Sequence, residues 1–187
     1  MKDTKKEFSL DSAPPKEQVR RPLAERMRPR SITEVFGQDH ILGKGCLLPN
    51  LIYENRVSNL ILAGPPGSGK TTLASVIAAE GKCKLLKVNA VTSNAAELRD
   101  TLKLVRYYGS ANCFLFVDEL HRFNKAQQDL LLPDVESGDV RLIGATTHNP
   151  RYYIIDPLLS RCQLLSLEPI PSPVIENALQ SALQDNE

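Results

Sequence analysis

Gly64-Pro65-Pro66-Gly67-Ser68-Gly69-Lys70-Thr71 places glycines, a lysine and a hydroxyl residue in the order that cradles a polyphosphate. It follows an apolar run at 59–63 and leads into a helix-forming run at 72–79, the strand-loop-helix setting such a loop requires. Glycines let the backbone curl until successive N–H groups face phosphate oxygens, and the positive end of the following helix adds its partial charge. Lys70 would reach the β- and γ-phosphates as a mobile point charge, while the Thr71 hydroxyl would complete a Mg²⁺ shell. Residues Gly64 to Thr72 (Gly64, Pro65, Pro66, Gly67, Ser68, Gly69, Lys70, Thr71 and Thr72) are therefore the expected contacts of a nucleoside triphosphate.

About 50 residues further on, Cys113-Phe114-Leu115-Phe116-Val117 runs into Asp118-Glu119. An apolar strand ending in two carboxylates is the usual second half of such a site. Asp118 is expected to meet the Mg²⁺ through water, and Glu119 to polarise the attacking water for in-line displacement without a covalent intermediate. An ordinary strand terminus is the alternative, and small-molecule kinases share the first motif, so these two stretches do not by themselves establish hydrolysis.

The elements that must hold these residues alternate along the chain. Helical spacing at 47–54 precedes the strand at 59–63; strands are then predicted at 84–88, 113–117, 140–145 and 163–167. Between them lie a helix carrying Leu98, Leu102 and Val105, one over 125–136 and a short one at 157–160. Nearly continuous apolar strands predict a five-stranded parallel sheet sandwiched by helices, an α/β P-loop NTPase core. Three parts are expected: a flexible basic tail at 1–20, a core at 21–168, and at 169–187 a proline-punctuated hinge with one further helix.

The 187 residues suit one α/β domain. Net charge is +1, but residues 1–30 hold nine Lys/Arg against five acids, an arm that is read as a solvated tail, with nucleic-acid contact as the alternative. Beyond that arm no basic residues interleaved with stacking aromatics stand out. No apolar run approaches the ~20 residues of a membrane span, and no secretory leader is visible. The four cysteines form no CxxC pair and the three histidines no zinc spacing, which predicts a reduced cytoplasmic setting.

Three further stretches resemble the AAA+ ATPases of the clamp-loader-like group. Ile143-Gly144-Ala145-Thr146-Thr147-His148-Asn149-Pro150 resembles the sensor 1 strand end, which implies that Thr147, or alternatively Asn149, reads the γ-phosphate. Leu158-Leu159-Ser160-Arg161-Cys162 resembles the arginine-finger element, which implies that Arg161 acts in trans on a neighbouring subunit's nucleotide. Pro22 to Pro29 with Val35-Phe36-Gly37-Gln38-Asp39-His40-Ile41-Leu42-Gly43 resembles the segment that holds adenine, which implies that Val35 and Phe36 contact the base. With His121-Arg122-Phe123-Asn124-Lys125-Ala126-Gln127-Gln128-Asp129, the likeness narrows to the RarA/MgsA and Werner-helicase-interacting ATPases over about 21–167. Asn89 is similar in place to the polar switch residue of AAA+ proteins, although a turn role is the favoured reading.

The resemblance implies an ATPase using ATP and Mg²⁺, with Glu119, Lys70, Thr147 and Arg161 catalytic. It implies work on DNA in replication-fork maintenance, recombination or repair, replication or repair proteins as partners, and no membrane association. A homo-oligomer is implied for the full-length family, with a monomer the alternative for this chain. The lid with its sensor 2 arginine is expected to follow residue 187, so the chain is read as a truncated form whose lid has only begun. Two other readings remain: a nucleotide-dependent interaction module with little turnover, and a clamp-loader subunit.

Overall fold

The computed structural model describes residues 23–183, so the expected tail and Pro22 lie outside the described residues. Five strands, β1 (Leu60–Ala63), β2 (Lys84–Asn89), β3 (Cys113–Asp118), β4 (Arg141–Thr146) and β5 (Gln163–Ser166), form one sheet in the order β2-β3-β4-β1-β5. Every pairing is parallel. All five C-terminal ends therefore open on one edge, where ligands of open α/β sheets bind.

The helices are α1 (Leu23–Arg26), α2 (Asp39–Leu42), α3 (Leu47–Tyr53), α4 (Lys70–Glu80), α5 (Ala95–Tyr108), α6 (Lys125–Asp129), α7 (Leu132–Ser137), α8 (Pro150–Tyr153), α9 (Asp156–Leu159) and α10 (Ser172–Leu183). The two-residue period of a strand divides the core between the sheet's faces. On one face Leu60, Leu62, Phe114, Phe116, Ile143 and Ala145 meet Leu73 and Ile77 of α4 and Leu48 and Ile52 of α3. On the other, Ile61, Leu115, Val117 and Leu142 meet Leu98, Leu102 and Val105 of α5 together with Leu131, Val135 and Leu158. The central strands β1, β3 and β4 are buried almost throughout, whereas the edge strand β2 exposes Lys84 and Lys87.

Helix ends follow local chemistry. Capping boxes start α5, between Asn94 and Glu97, and α6, between Asn124 and Gln127. The single helix expected over 125–136 is two, because Pro133 lacks an N–H and is tolerated only in a first turn, so a new helix starts at Leu132. Arg106 on α5 grips Asp134 on α7 with a bidentate pair, its Nη2 2.7 Å from Oδ2, and the Asp134 side chain is only 4% exposed. Helix α8 was not foreseen; Asn149 caps it by accepting from the Arg151 N–H at 3.1 Å. No helix among the described residues is long and apolar enough to cross a membrane.

Phe116 is 1% exposed in the middle of the sheet. Phe116→Ala is expected to lower the unfolding free energy by about 3–5 kcal/mol, read as a fall in the urea midpoint at unchanged slope.

Candidate nucleotide-binding site

The loop between β1 and α4 is fixed at both ends. The Gly64 N–H donates to the Thr146 carbonyl at 3.1 Å, extending the β1–β4 ladder by one residue. A Cβ at Gly64 would stand 2.6 Å from the Leu167 carbonyl oxygen, so only glycine lets the chain leave the sheet there. Gly67 (φ 76°) and Gly69 (φ 93°) take left-handed backbone, and Gly69 brings no side-chain cap to α4. The first-turn amides of α4 are thus left to whatever lies before the helix.

A cavity of 370 Å³ lies there. Pro66, Gly67, Gly69, Lys70, Thr71 and Thr72 form one wall, and Asp118, Glu119 and Thr147 the other. Lys70 is 8% exposed and its Nζ donates to the carbonyls of Gly64 (2.7 Å) and Pro65 (2.8 Å). Burial holds its ammonium below the ordinary value of 10.5, while the nearby charges of Glu119 and Asp118 oppose that shift. Gly64 and Pro65 serve as these acceptors, and Ser68 is buried, with an Oγ that has no hydrogen-bond partner among the described residues.

On the acidic wall, Asp118 Oδ1 accepts from the Glu119 N–H at 3.1 Å. Glu119 has φ 52° and ψ 44°, a left-handed conformation that non-glycine residues seldom adopt and that recurs at functional sites. Its Oε2 accepts from Thr147 Oγ1 at 3.2 Å and lies 3.2 Å from His121 Nδ1. Thr147 therefore stands beside the carboxylates, whereas Asn149, its alternative, is committed to capping α8. Asn89 accepts from the Val91 N–H at 2.8 Å, which occupies its Oδ1 in a local turn.

Arg161 stands apart. It precedes β5 at the N-terminal edge of the sheet, its Nη2 2.8 Å from Glu136 Oε1 and its Nη1 donating to the Pro157 carbonyl at 2.8 Å. Four residues of β5 at ~3.3 Å each, about 13 Å, separate that edge from the cavity edge. Arg161 is not among the residues that line the cavity.

A second cavity of 180 Å³ adjoins the first through shared Gly67, Gly69 and Thr72. Val35, Phe36, Leu73, Leu167 and Ile170 make it apolar, and Phe36 is 45% exposed. Gln38 supports this region and was not singled out by its sequence context. It is 2% exposed; its Nε2 donates to the carbonyls of Ser68 (3.1 Å) and Glu168 (2.8 Å), and its Oε1 accepts from the Glu168 N–H at 3.1 Å. One side chain thus ties the glycine loop to the exit of β5.

The expectation that no basic residues interleaved with stacking aromatics stand out beyond the N-terminal arm passed over Arg151-Tyr152-Tyr153. Arg151, Tyr152 and Tyr153 share a groove of 330 Å³ with Lys125 from α6, and Tyr152 is 82% exposed.

A parallel sheet with this strand order, a glycine loop opening into a helix and two acids on the second strand over define the P-loop NTPase fold. Residues 60–168 match the model of the ATPase family associated with various cellular activities (AAA). The chain belongs to that AAA family. Replication-associated recombination protein A of Escherichia coli K12 is 43% identical over 166 residues, which is 88% of this chain and 37% of that protein. The Dictyostelium discoideum ATPase WRNIP1 is 37% identical over 87% of this chain and 19% of its own length. Among solved structures, the Thermotoga maritima RuvB P216G mutant superposes with a TM-score of 0.70 at 30% identity, covering 86% of this chain and 56% of that one. The chain spans well under half the length of these curated relatives.

Removing the Gln38 clamp would leave the Ser68 and Glu168 backbone groups unpaired. Gln38→Leu is expected to cost about 1–3 kcal/mol in chemical denaturation and to weaken nucleotide binding in a fluorescence titration.

Proposed function

We propose that the chain binds ATP with Mg²⁺ in the 370 Å³ cavity and, when assembled with its like, hydrolyses it. The observation that carries this is the meeting of the glycine loop, Lys70, Asp118, Glu119 and Thr147 around one cavity, although they come from three separate segments. The amides of residues 64–72 hold the phosphates, and Lys70 exchanges its loop carbonyls for β- and γ-phosphate oxygens. Adenine rests in the apolar cavity at Val35 and Phe36. The Thr71 hydroxyl and the Asp118 carboxylate line the same cavity and are hard oxygen donors, a set that suits Mg²⁺, with Asp118 acting through water. The metal would neutralise charge developing on the transferred phosphoryl group. Glu119 polarises the attacking water, and Thr147 reads the γ-phosphate.

Arg161 completes the site of a neighbouring subunit. Its place on the opposite edge of the sheet supports that role, and supports also the second reading, in which a lone chain binds nucleotide with little turnover. Residues 21–168 form the working core. The segment from 169 begins a lid, whose helix α10 presents Ile175, Leu179 and Leu183 at intervals of four with 45%, 60% and 86% exposure. Relatives named for replication-associated recombination support a DNA-linked role, and the reading is that the ATPase cycle serves DNA in replication-fork maintenance, recombination or repair, in the cytoplasm at the nucleoid. The groove of Lys125, Arg151 and Tyr152 has the cations and exposed ring that contact with a nucleic acid strand calls for.

Titration of the purified chain with labelled ATP and Mg²⁺, with the oligomeric state measured in the same sample, tests the reading. Lys70→Ala is expected to abolish binding, and Glu119→Gln to keep binding and lose phosphate release; normal turnover by the glutamine variant would remove Glu119 as the base. Arg161→Ala is expected to leave a lone chain's affinity unchanged and to lower turnover of the assembly by about 10³-fold or more. Loss of monomer binding instead would mean that Arg161 serves its own chain.

A further inference from the structure

Glu119 is held from behind by residues to which the sequence motifs assign no role. His121 follows it by two positions, and its side chain is 5% exposed. His148 follows Thr147, and the two imidazoles stack with centroids 4.0 Å apart at 40°. Tyr153 closes the cluster with its ring edge-on to both, 4.9 Å from His148 and 6.0 Å from His121. Buried Gln128 fixes that segment, its Nε2 donating to the Tyr153 carbonyl at 2.9 Å and its Oε1 accepting from the Ile155 N–H at 3.0 Å.

Counting protons gives both histidines one tautomer. Thr147 has a single hydroxyl proton, and it goes to Glu119 Oε2 at 3.2 Å. Its oxygen therefore accepts at the 3.2 Å contact with His148 Nδ1, which must carry hydrogen. Thr146 Oγ1 donates to the His148 carbonyl at 3.3 Å and accepts from the His148 N–H at 3.1 Å, so at 3.0 Å from His121 Nδ1 it can only accept again. A carboxylate oxygen also only accepts, and Glu119 Oε2 is the second oxygen near that nitrogen. The proton of His121 sits on Nδ1, where it donates to Thr146 Oγ1 and faces Glu119 Oε2 at 3.2 Å. Burial is the largest cause holding His121 below its ordinary value of 6.5.

We infer that His121 and His148 are positioning residues for Glu119, the first by setting its Nδ1 edge 3.2 Å from Oε2 and the second through the Thr147 hydroxyl, an inference that rests on Glu119 being the water-polarising base. The Thr147 hydrogen bond and the His121 ring beside it restrain the carboxylate against rotation. Its Oε1 has no hydrogen bond among the described residues and remains for the water. The left-handed backbone at Glu119 is held in the same way, by a turn whose next side chain, Leu120, is fully buried. The restraint thus comes from the turn after β3 and the loop after β4 together, and needs no contribution from Asn89.

Two measurements on the full chain test this. Long-range ¹⁵N–¹H correlation at neutral pH is expected to show both His121 and His148 as neutral Nδ1–H tautomers, and Glu119→Ala to shift the His121 Nδ1 resonance. A protonated Nε2 with bare Nδ1 on His121 would overturn the proposal. In single-turnover hydrolysis, His121→Leu is expected to slow phosphate release by about 10- to 100-fold while the ATP Kd changes less than about 2-fold. His121→Asn, whose amide N–H stands where Nδ1 did, restores most of the rate. Unchanged hydrolysis in the leucine variant, or equal failure of asparagine and leucine, would refute the dyad's role. If the wild-type assembly binds ATP but releases no phosphate, hydrolysis as the proposed function fails, and the resonances still decide whether the dyad exists.

Discussion

The site depends on β4 lying between β1 and β3 in a parallel sheet. Register sets Ala63 beside Thr146 and Val117 beside Gly144, so the glycine loop and the acidic pair leave the sheet on either side of one strand end. Gly144 makes the arrangement possible. A Cβ there would stand 2.6 Å from Leu120 Cδ2, and Leu120 anchors the turn that carries Glu119 and His121. A methyl group there would force the Leu120 side chain to shift, and with it the seat of the turn that carries Glu119.

Burial then converts geometry into electrostatics. Lys70 is taken out of water opposite two carboxylates, and Glu119 is restrained by the Thr147 hydroxyl with the His121 ring beside it. Gln38 extends this order outward. Its three hydrogen bonds join the start of the core, the glycine loop and the chain just after β5, from which residues 169 onward depart. Displacement of the loop by a ligand would therefore be felt where the next segment begins.

Much of the fold was legible in the sequence because the central strands are buried on both faces and read as unbroken apolar runs. The break at Pro133 was missed, since the apolar spacing continues across it. The loop and the acidic pair were legible because each is contiguous and their chemistry dictates residue type. Gln38 was not, because its partner Glu168 lies 130 positions away and a glutamine looks the same in a clamp as on a surface. The histidine pair escaped for a like reason: Thr146 and His121 are 25 residues apart, and only the β3–β4 pairing brings them together. In the groove, Arg151, Tyr152 and Tyr153 are adjacent in the sequence, and only Lys125 comes from another segment.

The most direct test is a crystal structure of the chain with a non-hydrolysable ATP analogue and Mg²⁺. The account predicts phosphates against the amides of residues 64–72, Lys70 Nζ moved from the Gly64 and Pro65 carbonyls to phosphate oxygens, and the metal near Thr71 and Asp118. An analogue bound elsewhere, or Lys70 still on its carbonyls with phosphates in place, would contradict it.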